Sequence, residues 1–541
     1  MTHVVVVGGG LSGLATALGV AVNGGSATVF EAADLLGGAA AYSGGQIWTG
    51  ANHVAARMGI DDDLARTEAY VRGIAHDAPE VLDEAAMRRW IEVAPRAVKW
   101  WEDIGAIEWE VIPGLIDYHS EVDGALGEGR YLTNKPIDGR VLGEWRSRLR
   151  VSPYFPVGTT YAEMNVVGRR VNADEEANAF GGGVKVGGAD GEPDVLTFGT
   201  GVVAAFLARL LREPSVEILL SHPVVELVRD EAGTVVGARA QGPEGVVERR
   251  GPVVLATSTY DWNEDLVAEI LGLGPEDFGS IAPDSVRGDG LTLARSVGGA
   301  LATIPPTSTP MLPGWGAVGG TGGYGPEFAK PHSMIVDRGG RRFCNDSYWV
   351  DIVAKALAPG DRHLPFFLVW DDRHRQAYGL GTTPPGGEYP EGLVTSAATL
   401  EELGQRLGID GAQLAATAAR FNEHAARGED PDFGRGASEY VHRFYGDHAH
   451  EPNSVLGPVA EPPFHGMRLR FVGTGIGSSG VHIDGDGHVL DTAGRPIGGL
   501  YAAGSVAALT TTGSGYNSGY ALGRGITLAY LISHEISGKE C

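Results

Sequence analysis

The chain has 541 residues, 43% of them apolar, which suits a soluble globular protein of more than one domain. Its 42 basic against 68 acidic residues give a net charge of −26, which argues against nucleic acid or an anionic membrane surface as a partner. Two cysteines, Cys344 and Cys541, without a C-x-x-C pair, leave no basis for a disulfide framework or a cysteine metal site, and no apolar run reaches membrane-spanning length.

His3 to Val7 forms a short apolar run, Gly8-Gly9-Gly10-Leu11-Ser12-Gly13 a turn, Leu14 to Ala21 a small-residue helix, and Ala27 to Phe30 a second strand ending at Glu31. This is a β-turn-α-β unit on the G-x-G-x-x-G template, with an acid about twenty residues further on. Gly8 permits the tight turn, Gly10 lets a pyrophosphate approach the backbone at the helix N-terminus, and Gly13 lets helix and strand pack closely. Glu31 can accept hydrogen bonds from an adenosine ribose. NAD and FAD share this fingerprint. The first strand begins almost at Met1, leaving no room for an export signal, so a cytoplasmic location is expected.

The run Leu35 to Trp48 is rich in small residues, including Gly37, Gly38, Ala39, Ser43, Gly44 and Gly45, and lets backbone amides approach a flat or phosphorylated ligand. Residues from about 60 to 105 read as helical, and Pro113 to His119 as loop. Gly181 to Pro193 reads as an exposed excursion. Val202 to Leu211 is an amphipathic helix, followed by strands at Val216 to Leu220, Pro223 to Arg229, Val235 to Arg239 and Val253 to Ala256. From Arg287 to His450 prolines, tryptophans and tyrosines are scattered through loops. Within this segment Met334 to Phe343 reads as strand-turn-strand, and Leu400 to Ala426 as two helices. Gly494 to Ser505 is a turn and a buried strand, and Ala521 to Ile536 a closing helix. The expected architecture is α/β, with a Rossmann-like nucleotide domain from 1–285 and 455–541 and an inserted α+β cap domain over 286–454.

Several of these stretches together resemble the flavoproteins that include fumarate reductases and 3-ketosteroid dehydrogenases. They are Gly8 to Gly13 with Glu31, Ser43-Gly44-Gly45, Gly339 to Phe343 followed by Asn345-Asp346, Pro452-Asn453, and Gly499 to Gly504. Asp117-Tyr118-His119, Asp261-Trp262-Asn263 and Tyr445-Gly446-Asp447 look more like the 3-ketosteroid dehydrogenase branch. The resemblance implies FAD, in a discontinuous flavin domain with the substrate cleft under the inserted domain. Two glycine-rich approaches, Gly37 to Gly45 and Gly504 to Gly525, also suit a long cofactor gripped at both ends. The expected FAD-binding set is Gly8, Gly10, Leu11, Ser12, Gly13, Glu31, Gly38, Ala39, Ser43, Gly44, Gly45, Val225, Ala256, Gly504, Ser505, Ala521 and Leu522.

Desaturating a cyclic ketone next to its carbonyl requires removal of an α-proton and passage of the β-hydride to flavin N5, so donors must face the carbonyl oxygen and a base the α-carbon. In the resembling family one tyrosine and a glycine amide bind the carbonyl, a second tyrosine takes the proton and a third assists. Gly519 fits the glycine, and Tyr516 the first tyrosine if the loop is shortened by one residue, with Tyr520 its competitor. Tyr348, after Asn345-Asp346-Ser347, is the expected base and Tyr118 the assistant. The rival reading, a fumarate-reductase-like reduction of an activated C=C bond, needs an arginine proton donor, for which Arg287, Arg341, Arg342 and Arg524 are available. The partners implied are a small apolar ketone and an electron acceptor of unspecified chemistry. No histidine lies between His3 and His53 to carry the cofactor, so FAD is expected to be non-covalent. Acid precipitation of the purified yellow protein should then leave the flavin in the supernatant; colour retained in the pellet would contradict this.

Overall fold

The computed structural model describes residues 2–75, 78–155, 158–163, 194–316, 322–324, 326–381 and 383–541. The stretch Gly181 to Pro193 lies outside them. Strand β1 (His3–Val7) and strand β2 (Ser26–Phe30) are apolar runs buried on both faces, and they pair in parallel. Between them the glycine turn leads into helix α1 (Leu11–Val22). Gly8 has φ +111°, and a Cβ there would meet the Ala256 carbonyl oxygen at 2.4 Å. At Gly13 a Cβ would lie 1.9 Å from the Gly8 carbonyl oxygen, so helix and strand touch because this residue has no side chain.

Helix α2 (Phe198–Leu210), strand β3 (Val216–Leu219) and strand β4 (Val253–Leu255) continue this unit. Much later come helix α3 (Glu439–Phe444), strand β5 (Phe464–Gly473), strand β6 (His488–Leu490), strand β7 (Pro496–Ala502) and helix α4 (Tyr520–Ile536). The first sheet has the order β6-β7-β4-β1-β2-β3, parallel except for β6, so both ends of the chain build one sheet. Helix α4 closes on α1 where Gly19 leaves room for Ser533, whose Oγ would be 2.4 Å from a Cβ at that glycine. Trp101 Nε1 donates to the Ile526 carbonyl at 3.1 Å, tying α4 to the helix Glu84–Asp103. A three-stranded antiparallel sheet, Val224–Arg229, Val235–Gly242 and Gly245–Arg250, adjoins this unit.

Strand β5 is the spine of the second sheet. It pairs with Phe278–Ser280, Leu312–Gly316, Phe366–Trp370 and Thr395–Ala397, and Phe366–Trp370 in turn carries Ser333–Asp337. Alternation along these strands serves two cores: Met334 and Val336 pack with Leu403, Leu414 and Phe421 of the helices Leu400–Leu407 and Gly411–Ala425, while Ile335 joins the main core. The expected boundaries at 286 and 454 cut through this sheet, since Phe278–Ser280 and β5 both belong to it. The expected second strand of the Met334 to Phe343 hairpin does not form. After the turn at Gly340 the chain commits Arg342 to a buried cluster with Asp346 at 2.9 Å and Asp430 at 2.7 Å, which draws it out of ladder register.

Gly13→Ala is expected to cost about 1–3 kcal/mol by overpacking, read as a lowered thermal midpoint with weakened flavin retention. Gly274→Ala, where nothing lies within 4 Å of an added Cβ, should stay within about 0.5 kcal/mol of the parent.

Candidate flavin and substrate site

A long cavity opens at the C-terminal ends of β1, β2 and β4, the place where open parallel sheets bind ligands. It is lined by every residue of the expected FAD set except Gly13 and Val225. Gly13 lies beneath, packing α1 on the turn. Val225 is a correction: it is 59% exposed, and strand alternation turns its neighbour Val224 to the cavity instead. At Gly10 a Cβ would meet nothing nearer than the Gly37 carbonyl at 3.9 Å, which leaves the backbone at the start of α1 open to a phosphate. Glu31 is buried and accepts from the Gly9 amide at 2.6 Å and the Ala33 amide at 2.8 Å. Burial raises its pKa, and these two amides oppose the rise. Each oxygen keeps a lone pair for a ribose hydroxyl. At the other end stand Gly519, Ala521 and Leu522, at the N-terminus of α4, whose first amides have no intrahelical acceptors. An elongated cofactor with a pyrophosphate in its middle fits this donor set.

A second cavity of about 880 Å³ lies between the two sheets' units and shares Ala39, Ser43, Gly44, Gln46, Thr474, Ile476, Tyr516 and Ser518 with the first. Its volume is in the range of pockets that enclose drug-sized ligands. Ile112, Leu115, Phe155, Phe328, Trp349 and Phe444 make much of the wall apolar. Thr474 and Ile476 were not expected from the sequence; they arrive because β5 ends there and Asp261 pins the turn, accepting from the Gly475 amide at 2.9 Å and from Ser280 Oγ at 2.8 Å.

The four expected catalytic residues fall in different places. Tyr516 lines both cavities, with its ring 6.1 Å from that of Trp349, and burial raises its pKa. Gly519 lines the first cavity at φ +85°, and a Cβ there would meet the Trp48 amide nitrogen at 2.6 Å. Tyr520, the competitor to Tyr516, is in the core, its ring edge-on to Trp48 at 4.8 Å and Trp90 at 5.3 Å. Tyr118 lines the substrate cavity. Its ring is 4.3 Å from that of Tyr440, and its hydroxyl is in hydrogen-bonding reach of Ser518 and Tyr440. Burial raises the Tyr118 pKa, and those two hydroxyls work against the rise. Tyr348 lines neither cavity. Its hydroxyl is buried without a hydrogen-bond partner among the described residues, and its ring is 6.4 Å from that of Tyr440 and 6.2 Å from that of His119.

Two further contributors were missed from sequence. Tyr440 sits in a short helix that nothing marks as functional. Asn517 was passed over inside the glycine-rich loop, yet its Oδ1 accepts from the Tyr118 amide at 3.0 Å and the Tyr70 hydroxyl at 2.9 Å, and its Nδ2 donates to the Tyr131 hydroxyl at 2.7 Å. The arginines of the rival reading lie elsewhere. Arg342 is held by Asp346 and Asp430, and Arg524 donates to the carbonyls of Ala507 at 3.1 Å and Ala508 at 2.7 Å. Arg287 and Arg341 are exposed, and none of the four lines the substrate cavity. Among the described residues no helix is long and apolar enough to cross a membrane, and no group of His, Cys, Asp or Glu could hold a metal ion.

A dinucleotide cradle opening onto an apolar cavity walled by tyrosines defines the class: this is an FAD-dependent oxidoreductase of the kind that acts on CH–CH groups. The FAD binding domain family model matches residues 3–528, and the chain belongs to that family. It is 30% identical, over 99% of its length and 93% of the relative's, to the 4-oxocyclohexanecarboxylate 2-dehydrogenase of Sinomonas cyclohexanicum. It is 28% identical to the 3-oxosteroid 1-dehydrogenase of Mycobacterium tuberculosis, over 99% of this chain and 98% of that one. Among solved structures, the 3-ketosteroid Δ1-dehydrogenase of Sterolibacterium denitrificans superposes with a TM-score of 0.85 at 23% identity, covering 99% of this chain and 100% of that chain, which establishes the shared fold.

Asn517→Ala should cost about 1–3 kcal/mol in thermal unfolding, because it strands buried tyrosine and amide partners. It should also slow substrate-driven flavin bleaching without releasing the flavin. Unchanged stability would mean that the loop is held elsewhere.

Proposed function

We propose that the protein desaturates a cyclic ketone next to its carbonyl, with Tyr516 and the Gly519 amide on the carbonyl oxygen and Tyr118 taking the α-proton. The observation that carries this reading is the Tyr118 hydroxyl, on the substrate wall and within reach of Tyr440 and Ser518. To take the α-proton Tyr118 must react as its phenolate, which the Tyr440 hydroxyl can stabilise by donating to it; as the proton arrives that charge passes to the ketone oxygen as an enolate. Tyr516 has the opposite task. Its desolvated hydroxyl stays protonated and can donate to an enolate oxygen, and the amide of Gly519 is a donor at every pH. Bound non-covalently along the first cavity, FAD supplies the acceptor for the β-hydride. The apolar walls exclude water from the enolate, and the loop 513–519 sets the distance between carbonyl donors and base.

This assignment moves the base from Tyr348, the residue expected from sequence, to Tyr118, because Tyr348 does not reach the cavity wall. Relatives named for 3-oxosteroids and for 4-oxocyclohexanecarboxylate support a ring ketone as the substrate class. The inserted unit, with β5 as its spine, acts as the cap over that ketone.

Tyr118→Phe should slow anaerobic flavin reduction by a ring ketone by about 10²–10⁴-fold while the protein stays yellow. Tyr348→Phe should slow it less than about tenfold, through repacking behind Tyr118. The reverse ranking would return the base role to Tyr348.

A further inference from the structure

The substrate cavity holds an unbalanced charge. In a chain with 68 acidic residues, no aspartate or glutamate is among the described residues that line this cavity, and the one charged side chain among them is Arg443. Arg443 lies on α3 three residues after Tyr440, so the two share a helix face, about one turn apart. Tyr440 is the buried member, against Tyr118; Arg443 is the exposed one, toward the mouth. Glu439, four residues earlier on the same short helix, does not pair with it. Among the described residues the Arg443 guanidinium has neither an ion pair nor a hydrogen-bond acceptor. His448 stands beside it on the cavity wall, its Nε2 3.2 Å from the Arg443 carbonyl oxygen.

A guanidinium is a planar donor matched to a carboxylate, and among the described residues no acid on the wall competes for it. The carbonyl donors at Tyr516 and Gly519 and the cation at Arg443 are separated by the rings of Trp349, Tyr118 and Tyr440, successive neighbours at 6.1, 6.3 and 4.3 Å. A neutral ketone would leave that cation unused. We propose that the substrate carries a carboxylate at the end remote from its ketone and that Arg443 binds it. The proposal rests on the ketone-desaturation reading for which end of the cavity holds the carbonyl. The acid can be short, a 4-oxocyclohexanecarboxylate, or long, a 3-oxosteroid with a carboxylated side chain; the chemistry at Arg443 is the same.

The test uses the FAD-loaded enzyme with four ketones: 4-oxocyclohexanecarboxylate, its methyl ester, 3-oxochol-4-en-24-oate and its methyl ester. Binding is followed by the flavin difference spectrum and turnover by anaerobic bleaching. The parent enzyme should favour the acid of at least one pair over its ester by about five- to tenfold in affinity, as expected for one rim ion pair. Arg443→Gln should bring that ratio close to one through KM, with Arg443→Lys recovering part of it. Which pair shows the preference identifies the short or the long acid. Equal affinity for acid and ester in both pairs, or a preference that survives Arg443→Gln, overturns the proposal. Should acids bind selectively through Arg443 while no ketone bleaches the flavin, the anion site stands and the desaturation reading falls.

Discussion

One buried amide side chain ties together the segments that carry the proposed carbonyl donors and base. Asn517 is fully buried, and both its polar atoms are satisfied by groups from three other parts of the chain: Tyr70, the Tyr118 amide and Tyr131. Burying an amide without partners costs several kcal/mol, so the loop 513–519 and the segment 117–119 are held in one mutual arrangement. The proposed carbonyl donors, Tyr516 and Gly519, sit on either side of Asn517, and the proposed base is the residue whose backbone it grips. A chemistry that needs donor and base a fixed distance apart is therefore built on a hydrogen bond that touches no substrate.

The two units are joined by similar means. Asp261, just beyond the end of β4, accepts from Thr259 Oγ1 at 2.6 Å, from Ser280 Oγ at 2.8 Å and from the Gly475 amide at 2.9 Å. The turn after β5 is thereby fixed against the nucleotide sheet, and that turn lines both cavities. Within the second unit the buried Arg342, Asp346 and Arg435 hold each other, with Arg435 Nη1 donating to the Ser333 carbonyl at 2.8 Å. Burial would raise the Asp346 pKa, but Arg342 and Arg435 hold it below the usual carboxylate range. Such a cluster is costly to disrupt one partner at a time, which suits a scaffold better than a proton donor.

The nucleotide half was legible because its reasons are local. A turn with φ above zero, a helix that must touch a strand and an acid at a strand end each need a residue type at a fixed spacing, and Gly8, Gly13 and Glu31 meet those needs wherever the rest of the chain goes. Val225 failed on a one-residue matter, the face of a strand, which propensity does not set but packing does. The substrate half was less legible because it is assembled across the chain. Tyr440 and Asn517 act through neighbours more than 300 residues away in sequence, and nothing in their own surroundings distinguishes them from packing residues. Tyr348 was expected from its place after the hairpin, but the hairpin's second strand does not form, and Tyr348 is not among the residues that line the cavity.

The charge pattern of the site follows from the chemistry rather than from the composition. Burial raises the pKa of Tyr118, Tyr440 and Tyr516, so these tyrosines are neutral at rest, and the negative charge that the proposed reaction needs there is a phenolate on the base that passes to the ketone oxygen. A carboxylate on that wall would oppose both. The nearest acid in sequence to Tyr118 is Asp117, and its oxygens are turned away and occupied, by Trp48 Nε1 at 2.7 Å, Arg130 Nη1 at 2.8 Å and the Leu126 amide at 2.9 Å. Arg130 is itself held by Asp62 at 2.7 Å. The acid adjacent to the proposed base is thus spent on holding the loop in place, and its buried partner Arg130 keeps this carboxylate off the tyrosine-lined wall.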